Sequence, residues 1–275
     1  SKRAKELNYK VLIGGTAGDD IFSGYKRHEL FVNQKILNII PNFIYKFLNL
    51  LTNRIKLNSS FFRRIKKFLE INSIKNKYKI FKYFEWLKKE EVVKLFRPEF
   101  RNQIISFDFY EYFKLLINQI PDETHNLNKI LHLEMSTFLV DHNLNYTDKM
   151  GMSEGVEIRV PYLDNDLVEF AYSIDPNFKY KDQKLKYILK KVAEKYLPKE
   201  VIYRQKAGFG APVRKWIIND LDKFISRRLN INNPIFKEIF DYKNVFKLIE
   251  RNKNGYLDAS YSIWAILAID SWYRQ

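Results

Sequence analysis

Apolar residues along this chain recur mostly at helical spacing, and only one short segment has the pattern of a strand. Residues 10–13 are that strand. It ends at Gly14 and Gly15, and the acidic Asp19 suits the first turn of a helix that follows. A strand, a glycine loop and a helix in this order are typical of open α/β sheets. The preceding residues 1–8 are predicted to be the end of a helix.

The rest of the pattern predicts helices. Residues 34–100 include a basic amphipathic segment, in which apolar residues at helical spacing lie beside cations. Its members are Phe61, Ile65, Phe68 and Leu69 with Arg63, Arg64, Lys66 and Lys67. Asp164 is placed to cap a helix over residues 167–173. Further helices are predicted over residues 105–118, 126–139, 184–196, 213–226, 242–252 and 258–273. Because no second strand stands out downstream, apart from possible short pieces, we expect sheet partners of the first strand to lie upstream of Ser1.

The composition narrows the class of protein. Of 275 residues, 46% are hydrophobic, which allows a substantial core. The absence of cysteine excludes disulfides, cysteine-bound zinc and thiol nucleophiles. No apolar run reaches the roughly 18 residues of a membrane span, so we expect a cytoplasmic protein. The net charge of +16 would suit an anionic partner such as a nucleic acid, an anionic membrane or a polyphosphate substrate. It can also reflect only the composition of a lysine-rich genome, and we favour that interpretation.

The first candidate site is the loop of residues 14–25, which follows the strand. Glycines at a strand end allow backbone N–H groups to approach an anion closely. The adjacent carboxylates of Asp19 and Asp20 could hold a Mg²⁺ ion that bridges phosphates. The loop is neither a Walker A nor a G-x-G-x-x-G motif, so a plain turn between strand and helix remains an open alternative.

Two further segments combine charge with special backbone positions. In residues 148–164, Glu157 and Arg159 are two apart and would face one side of an extended segment. They form either a structural salt bridge or part of a site. In residues 204–212, Lys206 leads into a turn bounded by glycines and could reach a negatively charged reacting centre, or it is only a solvated lysine.

A pair of lysines supplies a fourth candidate. Lys184 and Lys186 stand at the start of the basic helix predicted for residues 184–196. A compact ammonium group suits a phosphate, although lysines on a helix face are most often only solvated. Both interpretations stay open from the residues alone.

Taken in order, these motifs resemble those of the asparagine synthetase family. Residues 14–25 resemble the second glycine loop of the family, S-G-x-G-A-D-E-x-F-G-G-Y. Residues 148–164 resemble D-R-x-S-M-x-x-G-x-E-x-R-x-P-F-L-D, with Gly151 where serine is usual and Tyr162 in place of phenylalanine. Residues 204–212 match R-x-K-x-G-F-x-x-P. Three ordered motifs make the resemblance specific.

The resemblance implies a fold. It is α/β and predominantly helical, with part of the doubly wound parallel sheet of a PP-loop domain and a large C-terminal helical part. Residues 1–275 would be one asparagine synthetase-like domain. Within it, residues 1–35 supply the strand, loop and helix, residues 36–125 a variable basic helical insertion, and residues 126–275 the helical active-site part. Residues 142–148 also resemble asparagine synthase-like proteins of surface-polysaccharide gene clusters.

The resemblance also implies a chemistry, that of a glutamine-hydrolysing ligase. A carboxylate attacks the α-phosphate of ATP, pyrophosphate leaves, and ammonia then displaces AMP to form an amide. By matched position, Asp19 would bind Mg²⁺, Lys206 would stabilise charge at the reacting centre, and Lys186 would contact pyrophosphate. Glu157 and Arg159 would shape the loop beside them. The nucleotide-binding loop would consist of Gly14, Gly15, Thr16, Gly18 and Asp20.

Two departures from the family pattern qualify this expectation. Thr16 stands where asparagine synthetases have glutamate, which leaves open whether the small-molecule carboxylate is aspartate or another, such as a sugar acid. The S-G-G-x-D-S loop and the N-terminal cysteine of the glutaminase domain are not in this sequence. We therefore expect one part of a larger or split enzyme, with a catalytically incomplete scaffold as the alternative. No nucleic-acid or membrane partner is expected, and an open sheet edge favours a partner chain or a homodimer.

Overall fold

The structure, a computed structural model, describes residues 1–32, 39–52, 56–57, 59–74, 77–204 and 211–275. The chain divides into two units. The first unit comprises residues 1–39 and 112–206, and the second comprises residues 40–111 and 207–275. The chain therefore leaves the first unit after the glycine loop and later returns to it. The roles assigned to residues 1–35, 36–125 and 126–275 remain predictions.

Helices predominate in the parts of the chain that the structure describes. In chain order they are α1 (Lys2–Glu6), α2 (Gly18–Ile21), α3 (His28–Val32), α4 (Asn42–Thr52), α5 (Ser60–Asn72), α6 (Lys89–Leu95), α7 (Pro98–Ser106), α8 (Glu111–Asn118), α9 (Asn126–Glu134), α10 (Asn145–Met152), α11 (Asn165–Ser173), α12 (Pro176–Lys179), α13 (Tyr187–Ala193), α14 (Lys199–Ile202), α15 (Val213–Lys215), α16 (Asp222–Arg228), α17 (Ile235–Glu238), α18 (Tyr242–Lys253) and α19 (Ser260–Tyr273). Tight 3₁₀ turns occupy Lys77–Tyr83 and Pro161–Leu163, and wider π-helical turns occupy Met135–Leu144 and Trp216–Asp220. The strands are β1 (Val11–Ile13), β2 (Glu157–Arg159), β3 (Tyr180–Lys181) and β4 (Lys184–Leu185).

The predominantly helical α/β fold is confirmed. The bounds of several predicted helices are wrong, and the helix predicted over residues 213–226 is interrupted at Leu221, between the π-helical turn and α16. The helix predicted over residues 105–118 is divided, because α7 ends at Ser106 and α8 begins at Glu111. The helix predicted from residue 184 begins only at Tyr187, since Lys184 pairs with Lys181 in the short hairpin of β3 and β4. Hydrophobic periodicity does not reveal a two-residue strand, which explains why the helix was predicted to begin at residue 184.

A parallel pair of strands joins the first and second sequence motifs. Val11 of β1 lies opposite Glu157 of β2, and Ile13 lies opposite Arg159. The Gly14 N–H extends the ladder by donating to the Arg159 carbonyl at 2.8 Å. One of the possible short pieces downstream, β2, is therefore a partner of β1 within the chain, and further partners upstream remain a prediction. The spacing of Glu157 and Arg159 predicted an extended segment here, but nothing in three residues indicates which strand it pairs with.

The core of the first unit forms around α9. Its apolar face is almost completely buried, as expected from the spacing of Leu127, Ile130, Leu131 and Leu133. This helix packs against α2 and α3, and α2 also packs against α11. The side chain of Asp164 accepts a hydrogen bond from the Leu167 N–H at 3.3 Å, so the predicted N-cap of α11 is confirmed. The loop after β1 therefore leads into a helix, α2, that is held in place by packing against α9 and α11.

The second unit has its own core, built from α6 and the C-terminal helices. Ile225, Ile235, Val245 and Ile263 are among its fully buried members. Helix α19 is apolar around most of its circumference, and it buries Ile263 and Ile266 while Trp264 and Trp272 stay exposed. Helix α6 packs against α18. The basic segment predicted over α5 is helical and packs against α4 and the 3₁₀ turn at Lys77–Tyr83.

Candidate functional site

The loop that follows β1 lies close against β2 and the 3₁₀ turn after it. A Cβ atom added at Gly14 would lie 3.4 Å from Ile158, and one at Gly18 would lie 3.2 Å from the Tyr162 ring. Ala17 has a left-handed backbone with φ of 71°, which turns the chain into α2. A Cβ at Gly15 would meet nothing within 4 Å. Packing therefore accounts for glycine at positions 14 and 18, and the open space beside Gly15 leaves its backbone accessible.

Asp19 and Lys186 come together although 166 residues separate them in the sequence. The Nζ atom of Lys186 lies 2.8 Å from the Asp19 Oδ1 atom, and about 30% of each side chain is exposed. Lys186 precedes α13 in a left-handed conformation with φ of 55°. The structure thus unites two residues that the sequence assigned to metal and to pyrophosphate. Part of each side chain is open to solvent, although the Asp19 Oδ1 atom in the contact is itself buried.

Gly24 makes room for the Asp19 side chain. A Cβ atom at Gly24 would lie 1.7 Å from the Asp19 Oδ1 atom and 2.7 Å from its Cα atom. The Gly24 N–H donates a hydrogen bond to the Asp19 carbonyl at 2.7 Å. No larger residue fits at this position without moving the carboxylate. Sequence reasoning did not single out Gly24, although its place in the F-x-G-Y part of the first motif was a signal.

A buried charged network lies next to Asp19. The Oε2 atom of Glu134 is 2.8 Å from the His28 Nε2 atom, and both side chains are fully buried. The other oxygen of Glu134 accepts a hydrogen bond from the Arg27 Nε–H. The Arg27 guanidinium covers the Tyr25 ring at 4.2 Å, a cation–π contact. The Tyr25 hydroxyl is 3.4 Å from both carboxylate oxygens of Asp20.

The electrostatics of this network are set by burial and by charge pairing. Burial, and then repulsion by Glu134 and Asp19, raises the pKa of Asp20 to about 6, although Arg27 and Tyr25 act in the opposite direction. Burial also opposes the ionisation of Glu134, but His28 and Arg27 outweigh it and hold the pKa of Glu134 below its ordinary value. Glu134 is therefore the ionised anchor of the network.

Sequence reasoning missed Arg27, His28 and Glu134. The available signal was a single carboxylate at the end of α9, next to the buried apolar positions of that helix. Asp20 was predicted to bind the nucleotide, and that role remains a prediction. With 1% of its surface exposed, Asp20 contacts Tyr25, whereas the neighbouring Asp19 is the accessible carboxylate. Thr16 is half-buried in the loop between them and β1.

Glu157 and Arg159 lie on one face of β2, as their spacing predicted, and they form an ion pair, one of the two alternatives that the sequence left open. The Arg159 Nε atom lies 2.9 Å from the Glu157 Oε1 atom, and more than half of each side chain is exposed. Hydrogen bonding to Arg159 lowers the pKa of Glu157. Exposed ion pairs contribute little to stability. The backbone of β2 positions the loop at Gly14, and a role of the two side chains in shaping the site remains a prediction.

Part of the predicted site falls outside the described residues. Lys206 lies within residues 205–210, whose placement the structure does not describe, so its catalytic role remains a prediction. No group of three or more His, Asp or Glu side chains that could hold a metal occurs among the described residues. Asp19 alone would suit a Mg²⁺ ion that takes its other ligands from phosphates and water.

None of the helices in the described ranges is long and apolar enough to span a lipid bilayer.

Comparison with known proteins places these features in a family. The chain matches the asparagine synthase family over residues 1–274. It is 26% identical to glutamine-hydrolyzing asparagine synthetase 1 of Bacillus subtilis (strain 168), over 99% of this chain and 41% of the relative. It is 32% identical to glutamine-hydrolyzing asparagine synthetase 1 of Lotus japonicus, over 51% of this chain and 26% of the relative.

The chain therefore spans about two fifths or less of the length of these curated relatives. No solved structure matches the chain significantly. Because the family match covers nearly every residue, including the glycine loop, β2 and the segment around Lys186, the assignment does not depend on one short motif. This chain belongs to the asparagine synthase family.

Proposed function

We propose that this chain forms the metal and pyrophosphate side of an ATP-dependent, AMP-forming amide-bond synthetase. The observation that carries the proposal is the 2.8 Å contact between Asp19 and Lys186 beside the glycine loop. The family assignment supports a ligase of the asparagine synthetase type. In the proposed reaction a carboxylate is adenylated by ATP, pyrophosphate leaves, and ammonia displaces AMP to give an amide.

The donor set fits the groups that such a reaction requires. A carboxylate oxygen is a suitable Mg²⁺ ligand, and a lysine ammonium is a suitable counter-charge for a phosphate oxygen. In the structure these two groups neutralise each other. In the proposed complex, Asp19 would hold the metal and Lys186 the pyrophosphate, so each would keep an opposite charge as a neighbour. The accessible backbone at Gly15 would provide N–H groups to phosphate oxygens.

The roles of the remaining residues follow from the same arrangement. Lys206 would stabilise the negative charge that develops at the α-phosphate and the acyl carbon. Glu134, through Arg27 and Tyr25, would keep Asp20 and the start of α2 in place below Asp19. Thr16 would leave the acceptor pocket without the glutamate of asparagine synthetases, so the substrate carboxylate can differ from aspartate.

The complete enzyme would require more than this chain. The relatives are named as glutamine-hydrolyzing, so we propose glutamine as the ammonia source, used by a glutaminase part on the same or another chain. The ATP-cradling PP-loop would come from the same additional part. Cytoplasmic location, a role in surface-polysaccharide synthesis and a homodimer remain part of the proposal.

The test is pyrophosphate release by the reconstituted enzyme. The chain would be combined with the segment that carries the S-G-G-x-D-S loop, and ATP-dependent pyrophosphate release would be measured with ammonia and a panel of carboxylates. We expect Lys206→Ala and Lys186→Gln each to lower the rate by about 100-fold or more, the magnitude typical of a lost transition-state charge contact. Lys184→Gln is the matched control, since Lys184 is an exposed lysine two residues before Lys186.

The outcomes separate the proposal from its main competitor. Equal loss in Lys184→Gln and Lys186→Gln would show that general charge, and not the contact with Asp19, is responsible. An unchanged rate in Lys206→Ala would exclude its assigned role. Absence of pyrophosphate release with every carboxylate, from a reconstituted complex of proven assembly, would favour a scaffold without catalytic activity.

A further inference from the structure

The second unit contains a cavity that the proposed reaction does not use. Its volume is about 690 Å³, and it lies between α5, the segment of residues 83–88, α18 and the start of α19. All its lining residues belong to this unit. Cavities of several hundred Å³ are the usual size for binding small molecules. The chemistry of its walls indicates what kind of molecule would fit.

The walls carry an excess of positive charge. Seven lining residues are lysine or arginine, and four are aspartate or glutamate. Some of these charges are already paired: Arg214 with Asp258 at 2.8 Å, and Arg251 with Glu91 at 2.7 Å. Even if every carboxylate neutralises one cation, three positive charges remain in the cavity wall. An anionic ligand would neutralise this excess.

Lys66 of α5 lies beside other cations of the wall. It is half-buried, and burial lowers its pKa, with further lowering by the nearby cations Lys88 and Arg251. Glu70 is the carboxylate that opposes this effect, and it also pairs with Lys88 at 3.4 Å. Removal from water without full compensation is unfavourable for an ammonium group. A bound anion would remove that penalty, so the wall is already arranged for one.

An aromatic pair forms another part of the wall. The Trp86 ring stacks on Tyr261 with centroids 5.4 Å apart and planes inclined by 30°. The Arg214 guanidinium lies 4.7 Å from the centre of the same Tyr261 ring. Trp86 remains 62% exposed, so one indole face is free to contact a ligand. An exposed indole held by a stacked neighbour offers a platform for a flat ring.

We propose that this cavity binds a nucleoside diphosphate, with the phosphates held by the cations around Lys66 and the base stacked against Trp86. Guanidinium groups suit phosphate oxygens because they donate two parallel hydrogen bonds. The cavity belongs to the second unit, and the Asp19–Lys186 pair belongs to the first. The cavity would give the chain a second nucleotide ligand, distinct from the ATP of the proposed reaction.

Binding of uridine diphosphate to the full chain tests this assignment by calorimetry. EDTA is present, so the Mg²⁺-dependent site proposed for the first unit does not contribute. The variant Arg64→Gln/Lys66→Gln removes two cavity charges, and Lys243→Gln/Lys247→Gln removes two exposed charges of α18 that do not line the cavity. We expect the cavity variant to raise the Kd about tenfold or more, since charged hydrogen bonds are lost, and the control to change it by less than about twofold.

A second variant tests the aromatic half of the site. Trp86→Ala should weaken uridine diphosphate binding about fivefold or more and leave inorganic pyrophosphate binding unchanged, because pyrophosphate has no ring to stack. Circular dichroism would verify that each variant folds. Equal affinities in the cavity and control variants, or no binding of uridine diphosphate to the wild-type chain at millimolar concentration, would overturn the proposal. Unchanged uridine diphosphate binding by Trp86→Ala would overturn the placement of the base.

Discussion

Replacement of Asp20 by asparagine should stabilise the first unit at neutral pH. Asp20 is 1% exposed, and burial, with repulsion from Glu134 and Asp19, raises its pKa from 3.8 to about 6. The unfolded chain releases this proton near pH 3.8, and the folded chain releases it only near pH 6. Between these values the folded state binds more protons, so the contribution of Asp20 to stability falls as the pH rises.

The magnitude follows from the size of the shift. A shift of about two pKa units, at about 1.4 kcal/mol per unit, corresponds to roughly 3 kcal/mol of lost stability at pH 7. Asparagine has nearly the same size, and its amide oxygen can still accept from Tyr25. We therefore expect Asp20→Asn to be up to about 3 kcal/mol more stable at pH 7, with the advantage vanishing near pH 4.

The assay must report on the first unit alone. The four tryptophans, Trp86, Trp216, Trp264 and Trp272, all lie in the second unit, so their fluorescence would not serve. Hydrogen exchange of the amides of α3 and α9, measured in urea from pH 4 to 7.5, would give the unfolding free energy of this region. Asp166→Asn, at an exposed position of α11, is the control and should change stability by less than about 1 kcal/mol. A stability difference between Asp20→Asn and wild type that does not vary with pH, or a less stable Asp20→Asn protein at pH 7, would refute the reasoning.

Three further substitutions test the packing around the site. Glu134→Gln should destabilise the first unit by about 3 kcal/mol in the same exchange assay, because it leaves Arg27 and buried His28 without their carboxylate. A loss of stability below about 1 kcal/mol would contradict this expectation. Gly24→Ala should lower the free energy of unfolding by about 1–3 kcal/mol. The control Gly15→Ala should leave it nearly unchanged, because a Cβ at Gly15 meets nothing within 4 Å. Equal losses in the two variants would contradict the packing argument. Gly151→Ser restores the usual residue of the family motif, but it should lower the free energy of unfolding by a similar amount. The reason is that its Cβ would lie 2.6 Å from the Val156 carbonyl oxygen. An unchanged unfolding midpoint would disprove that close contact.

Much of the fold could be predicted because it depends on local patterns. The apolar face of α9 and the cap at Asp164 follow from residues a few positions apart, and both occur as expected. The hairpin at Lys184 and the break between α7 and α8 did not follow, since such short segments have no measurable period.

The candidate site was predicted only in outline. The loop at Asp19 and the segment at Lys186 were each found as separate motifs, and only their family resemblance placed them in one site. The network of Arg27, His28 and Glu134 gave almost no signal, because Glu134 is one acid in a helix and its partners lie more than 100 residues away. Long-range contacts of this kind depend on how α3 and α9 pack.

The sequence by itself determined the family, the helical character and the identity of the chemical groups. Three ordered motifs and the lack of cysteine were sufficient for this, since they require no knowledge of distances. The tertiary structure alone decided how two identical neighbours differ. Asp19 and Asp20 are adjacent, but successive residues of a helix point about 100° apart. In the folded chain one carboxylate therefore faces Lys186 in the open site, and the other lies buried beside Tyr25, where its charge is disfavoured.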